Sequence, residues 1–247
     1  MKVSVLINNY NNGPYLAECL ESVFSQKTEH ELEVIVYDDG STDHSLEEIA
    51  KFPEVRLIHA PNYGKTSMLN QAHAIQEAFF QSSGELICLL DGDDAFLPKK
   101  IETVVREYQR SPFDLLAHSY TPGEPLIPNP GLEDVTDRFI VGYIATTSCL
   151  VAQREFLAGM FPINEDFPLI WFDNRIHVRS IISGRRRILQ QPLTFYRPHE
   201  TSFVARQSFL KRKRLVWEVS RYFNHYSDRK INWLKVIQWK LRNGIDW

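Results

Sequence analysis

Four times in the first 110 residues a short apolar run gives way to a polar turn and then to a stretch whose apolar positions recur every three or four residues. The first run covers residues 2–7 and ends in Asn8-Asn9-Tyr10-Asn11-Asn12-Gly13-Pro14. Over 15–26, Leu16, Cys19, Leu20 and Val23 then fall at i, i+3, i+4 and i+7, one face of a helix. Runs at 32–37, 55–59 and 86–90 follow the same course, with helices predicted over 45–51, from Met68 through Phe79, and over 98–109. The continuous run at 86–90, bounded by Gly84 and an Asp-Gly turn, reads as a strand buried on both faces. Strands alternating with helices through short connections predict right-handed crossovers and a mostly parallel sheet.

The polar turns carry the candidate chemistry. Residues 86–90 stop on Asp91-Gly92-Asp93-Asp94, and residues 32–37 run into Asp38-Asp39-Gly40-Ser41-Thr42-Asp43. Both acidic groups sit at the carboxyl end of a strand, the edge where open α/β sheets bind ligands. Like charges this close raise one another's pKa and cost folding energy unless a cation neutralises them, and a divalent metal is the obvious neutraliser. Asp also caps helices and favours their first turn, which explains one carboxylate of either group, but not readily Asp38, Asp39 and Asp43 together. Neither G-x-G-x-x-G nor G-x-x-x-x-G-K-[ST] is present, and Gly64-Lys65-Thr66 lacks the earlier glycine of the second pattern. Any phosphate is therefore expected on a metal and side chains, not in a glycine-rich cradle.

Composition changes the picture in two places. With 247 residues, 43% hydrophobic and 24% charged, the chain suits one large α/β domain or a domain with an appendage. Its apolar runs fall short of the roughly 20 residues that span a bilayer, and the first soon meets Asn8 and Asn9, which fits no signal peptide and gives a cytoplasmic expectation. Cys19, Cys88 and Cys149 are too dispersed for a disulfide framework or a zinc site and read as reduced core thiols. The net charge of −3 hides an asymmetry: residues 203–247 hold eleven Lys/Arg against Glu218, Asp228 and Asp246, a balance of +8, which leaves −11 on the rest. Apolar residues interleave with these cations as in two amphipathic helices divided near 224–228, suited to packing on the domain, to a homodimer contact, or to peripheral contact with anionic lipid at the cytoplasmic face. No nucleic-acid partner is expected.

Four segments, taken in order, resemble the nucleotide-binding half of glycosyltransferase family 2: Ser4-Val5-Leu6-Ile7-Asn8-Asn9-Tyr10-Asn11; Val34-Ile35-Val36-Tyr37-Asp38-Asp39-Gly40-Ser41-Thr42-Asp43; Asn62-x-Gly64; and Leu90-Asp91-Gly92-Asp93-Asp94. The resemblance implies a Rossmann-like, mostly parallel sheet flanked by helices, of the A-type glycosyltransferase kind, with a C-terminal helical extension. The expected division is a nucleotide-sugar-binding half at 1–110, an acceptor-binding half of the same domain at 111–202, and the basic tail at 203–247. The implied activity is metal-dependent, inverting transfer of one sugar from a nucleotide-diphosphate sugar, UDP-sugar favoured, to a carbohydrate or lipid-linked acceptor, in bacterial-type polysaccharide or glycoconjugate synthesis. The Gln-x-x-Arg-Trp signature of processive synthases is absent, which favours transfer of a single sugar. Mn²⁺ or Mg²⁺ is the implied cofactor.

By the same resemblance Tyr10 and Asp39 face the base or ribose, with Asn9, Asp38, Asn62, Gly64 and Lys65 in the donor site; Asp93 and Asp94 face the ribose and metal, and Asp91 the sugar or the metal shell. Asn8-Asn9 departs from the Pro-Thr or similar pair usual there and leaves the base open. In the acceptor half, Asp173, spaced from Arg179 as in the family, is the expected catalytic base, although Phe172 replaces the usual Glu; Asp166, preceded by Glu165, is the rival. Tyr196-Arg197-Pro198-His199 resembles the family's Tyr-Arg-x-His close, which makes His199 a candidate for the metal or diphosphate. Two other readings stay open: a haloacid-dehalogenase-like phosphatase built on Asp91-Gly92-Asp93, and a nucleotide-sugar-binding module without catalysis.

Overall fold

The computed structural model describes residues 1–122, 145–183, 185–198, 209–228 and 230–231. Strands β1 (Lys2–Asn9), β2 (Glu31–Asp38), β3 (Arg56–His59) and β4 (Leu86–Asp91) are separated by helices α1 (Gly13–Phe24), α2 (Ser45–Ile49) and α3 (Ser67–Phe80). A two-residue strand β5 (Ala95–Phe96), helix α4 (Lys100–Arg110), strand β6 (Leu115–Thr121), a 3-10 turn (Thr147–Cys149), strand β7 (Leu150–Gln153), helices α5 (Arg154–Ala158) and α6 (Phe172–Ser183), strand β8 (Arg186–Phe195) and helix α7 (Phe209–Tyr226) follow. The sheet order is β3-β2-β1-β4-β7-β6-β8-β5. Its first half, β3 to β4, is parallel, and β7 runs antiparallel to both its neighbours. The predicted alternation and mostly parallel sheet are thus present, with boundaries shifted by one or two residues.

Strand alternation explains the two-faced core. Val3, Val5 and Ile7 of β1, with Leu86, Cys88 and Leu90 of β4, pack against α1 and α4 on one face. Leu6 of β1, with Ile87 and Leu89 of β4, packs against α3 and α6 on the other. Successive side chains point to opposite faces, so a strand covered by helices on both sides must be apolar at every position, as residues 86–90 are. The three cysteines are buried free thiols.

In β8, Pro192 has no N–H to offer the ladder, and the β6–β8 register shifts on both sides of its partner Ser119. Helix α6 is apolar on two sides: Phe172 and Ile176 face the sheet, while Val178 and Ile181 meet Val219, Tyr222 and Phe223 of α7. The first of the two helices expected in the tail therefore ends at Tyr226, within the predicted break, and packs on the domain. The second lies outside the described residues. Among the described residues no helix is long and apolar enough to cross a membrane. Truncating Leu89 to Ala opens a cavity between α3 and the sheet, and the expected loss in a urea titration is about 2–5 kcal/mol.

Candidate functional site

The carboxyl ends of β1, β2 and β4 lie side by side, with Asn9 opposite Asp38 and Asn8 opposite Asp91. Every turn that leaves this edge is built from polar side chains, and two of the acids are consumed in building it. Asp38 is 0% exposed; it accepts from the Ser41 N–H (2.9 Å) and hydroxyl (2.6 Å) and from Asn9 Nδ2 (2.7 Å), and it pairs with His59 Nδ1 (2.9 Å). Asp43 accepts from the Gly13 N–H (2.8 Å) and from the Ser45 N–H and hydroxyl, which ties the β1 turn to the start of α2 and holds its carboxyl below the usual range despite some burial. Both acids thus shape the loops, and Asp38, expected at the donor, acts through the position it gives Asn9 and Ser41.

Asp39, 5% exposed, is tied instead to the loop after β3 and to α3. It accepts from Asn62 Nδ2 (2.7 Å), the Tyr63 N–H (2.9 Å) and Asn70 Nδ2 (3.1 Å), while burial raises its pKa. The turn that presents it needs Gly40, at φ +75°, where a Cβ would lie 2.6 Å from the Asn62 nitrogen. Tyr10 stands half exposed beside this turn. Lys65 pairs with Glu165 at 3.3 Å, Glu165 also accepts the Tyr63 hydroxyl, and the Thr66 hydroxyl donates to the Pro168 carbonyl at 2.6 Å. The loop after β3 is thereby fastened to the segment that leads into α6.

The acids after β4 occupy a tighter turn. A Cβ at Gly92 would lie 2.7 Å from Asn9 Oδ1, so only glycine allows the turn to sit this close to β1. Asp91 Oδ1 accepts from Asn8 Nδ2 (2.8 Å) and Gln71 Nε2 (3.1 Å). Asp94, 1% exposed, accepts from the Ser148 hydroxyl (2.5 Å) and the Arg197 N–H (2.9 Å). Ser148 is held from behind by the buried Lys100, whose Nζ donates to its carbonyl at 2.6 Å while lying 3.7 Å over the Phe96 ring. Burial, and then the neighbouring carboxylates, push Asp91 and Asp94 well above the usual carboxylate range. Ionisation of both carboxyls at this turn is therefore opposed by their surroundings.

Asp173 lies in the first turn of α6, 7% exposed, with its carboxyl raised to about 7 by burial, opposed by a bond from the Asn174 N–H and reinforced by the charge of Asp91. Gln71 connects the two acidic sites, because it donates to Asp91 and to the Thr147 hydroxyl while its oxygen accepts the Phe172 N–H (3.4 Å). Asp166, by contrast, is exposed on the 164–170 loop, whose carbonyls at Asn164, Phe167 and Ile170 are gathered by the buried Arg175. His199 lies outside the described residues. Gln71, Asn70 and Ser148 escaped the sequence reading: the first two are polar breaks in an apolar helix pattern, while Ser148, in a run of small hydroxyls, carried no signal.

Among the described residues no three His, Cys, Asp or Glu side chains close around one point as a metal cage. The donor set nonetheless fits a hard divalent cation. It is all oxygen, burial and like charge oppose its ionisation, and among the described residues Asn8 Oδ1 and Asn9 Oδ1 are buried beside it without a hydrogen-bond donor. Mg²⁺-like ions are commonly held by one or two carboxylates, with substrate phosphates and water completing the shell. The partly exposed Asp91 and Asp93 suit that role better than Asp94, which is 1% exposed and bound to the Ser148 hydroxyl and the Arg197 N–H.

The family model "Glycosyl transferase family 2" matches residues 4–125, which contain the whole donor-side edge just described. Over these residues the chain belongs to glycosyltransferase family 2. An uncharacterised glycosyltransferase of Nostoc sp. is 31% identical over 217 residues, covering 81% of this chain and 65% of the relative. Glycosyltransferase GlyG of Streptococcus pneumoniae is 34% identical over 122 residues, covering 48% of this chain and 38% of its own length. The chain thus spans less than two thirds of these relatives. In fold, Staphylococcus aureus TarS solved with UDP superposes at a TM-score of 0.69 with 18% identity, covering 92% of this chain and 67% of TarS. Mannosyltransferase PcManGT from Pyrobaculum calidifontis, solved with GDP-Man and Mn²⁺, gives 0.67 and 17% identity over 92% of this chain and 65% of its own. These likenesses establish an A-type glycosyltransferase fold, and the family 2 match sets the phosphatase reading aside.

The raised carboxyls make stability depend on pH with a definite sign. A carboxyl whose folded pKa exceeds its unfolded one contributes stability that is full below the unfolded pKa and is lost as pH rises through the folded pKa. Without divalent metal, the melting temperature should therefore fall as pH rises from the ordinary carboxylate range toward neutrality, and Asp94→Asn should flatten that fall in a thermal-unfolding series.

Proposed function

We propose that this family 2 chain is a metal-dependent, inverting glycosyltransferase that moves one sugar from a nucleotide-diphosphate sugar to an acceptor hydroxyl. The observation that carries the reading is the placement of Asp173: a buried carboxyl of near-neutral pKa at the start of α6, joined through Gln71 to the acidic turn after β4. The fold neighbours TarS and PcManGT hold UDP, and GDP-Man with Mn²⁺, respectively, and the donor class and a divalent ion come to this chain on that likeness. A UDP-sugar is the favoured donor, and residues 1–110 and 111–202 are its donor and acceptor halves.

Asp39, steered by Asn62 and Asn70, receives the nucleoside, with Tyr10 over the same turn. Asp91 and Asp93 would hold Mn²⁺ or Mg²⁺, which when bound offsets charge on the departing diphosphate. Asp173 accepts the proton of the acceptor hydroxyl as that oxygen bonds to the anomeric carbon from the face opposite the diphosphate. The bond to the diphosphate oxygen breaks with its electron pair, and the configuration inverts. A carboxyl of ordinary pKa would be ionised but weakly basic; one near 7 combines a substantial ionised fraction with a stronger pull on the proton, and such bases contribute about 10²–10⁴-fold. Asp166 is exposed on its loop.

Three outcomes check the reading. In steady-state assays Asp173→Asn should lower kcat by about 10²–10⁴-fold with donor affinity retained, whereas Asp166→Asn stays near wild type; the reverse pattern would move the base to Asp166. Because the base works ionised, kcat/KM should rise with pH and level off above about 7, the value to which burial raises Asp173. Excess chelator should abolish transfer and Mn²⁺ or Mg²⁺ restore it, while donor binding with neither hydrolysis nor transfer would mark a module without catalysis.

A further inference from the structure

Helix α7 is rich in cations, and its Glu218 pairs with Arg221 at 3.7 Å. Its eighteen residues include Lys211, Arg212, Lys213, Arg214 and Arg221 against the one acid Glu218. Glu218, 4% exposed, is buried along with Val219, Tyr222 and Phe223, which pack against α6 and the loop before it. Arg214, Trp217, Arg221 and His225, spaced i, i+3, i+7 and i+11, are all exposed and share the outward side. Trp217 keeps 40% of its surface in water, and the Arg221 guanidinium lies 4.7 Å over its ring.

We infer that this outward stripe is a docking surface for an anionic lipid membrane. Tryptophan with flanking arginines suits the boundary between headgroups and acyl chains, where the indole buries its rings and the cations stay among phosphates. The helix is anchored by its opposite face, so it can lie flat on a membrane without leaving the domain. The five cations of α7 against its one acid give the helix +4, a charge that an anionic plane attracts. Contact is peripheral, since among the described residues no helix can cross a bilayer. A nucleic acid is the poorer fit, because Arg221 already covers one face of the indole, the largest ring of the stripe.

Flotation of the full chain with vesicles tests the assignment. The protein should float with phosphatidylcholine vesicles containing phosphatidylglycerol, remain behind with phosphatidylcholine alone, and be released by high salt. Arg214→Gln with Arg221→Gln should weaken flotation roughly 25-fold, taking about fivefold per lost cation, with cooperative thermal unfolding retained. Trp217→Ser should weaken it while leaving its salt dependence. Flotation on neutral vesicles as strong as on anionic ones, none on either, or a folded double variant that floats like wild type would each overturn the proposal. So would tighter binding of a single-stranded RNA than of the vesicles, or a dimer in solution that the double variant abolishes.

Discussion

The structure turns on the crowding of carboxylates at the end of β4. An apolar strand buried on both faces delivers Asp91, Asp93 and Asp94 to one turn, where burial and repulsion both oppose ionisation of Asp91 and Asp94. The fold answers with hydrogen bonds from far along the chain: Asn8 from β1, Gln71 from α3, Ser148 from the turn before β7, and the Arg197 N–H after β8. The acidic turn is therefore where the parallel strands β1 to β4 and the later strands β6 to β8 are pinned together. Hydrogen bonds to a carboxylate orient it but do not cancel its charge, and the remaining deficit is what a divalent ion is suited to fill.

A second set of contacts makes the cleft one body. The loop after β3, clamped by Asp39, is fastened to the segment before α6 through Tyr63, Lys65 and Thr66. Arg175 gathers three carbonyls of that segment, and α6 then carries Asp173 back toward Asp91. The residues proposed to bind the nucleoside and to take the acceptor proton are thus joined by a short chain of direct contacts. Positioning of this kind limits how far the reacting groups drift from a productive geometry.

The sequence by itself determined the sheet and the acidic edge. Period-two strands, period-3.6 helices and their short turns are local properties, so β1 to β4, α1 and α3 were legible to within a residue or two, as were the four motifs of family 2. It also determined the charge asymmetry of the tail and the break after α7. Tertiary structure alone decided how each acid is held. Asp38 and Asp43 look no different in sequence from Asp39, and Asp94 no different from Asp93, because a carboxylate's role depends on which donors reach it in space. Ser148, Gln71 and Arg197 lie 54, 20 and 103 residues from the acids they hold, and no local pattern encodes such distances. The elevated pKa of Asp173 likewise comes from burial against α3 and the sheet, a property of packing that no spacing of residues records.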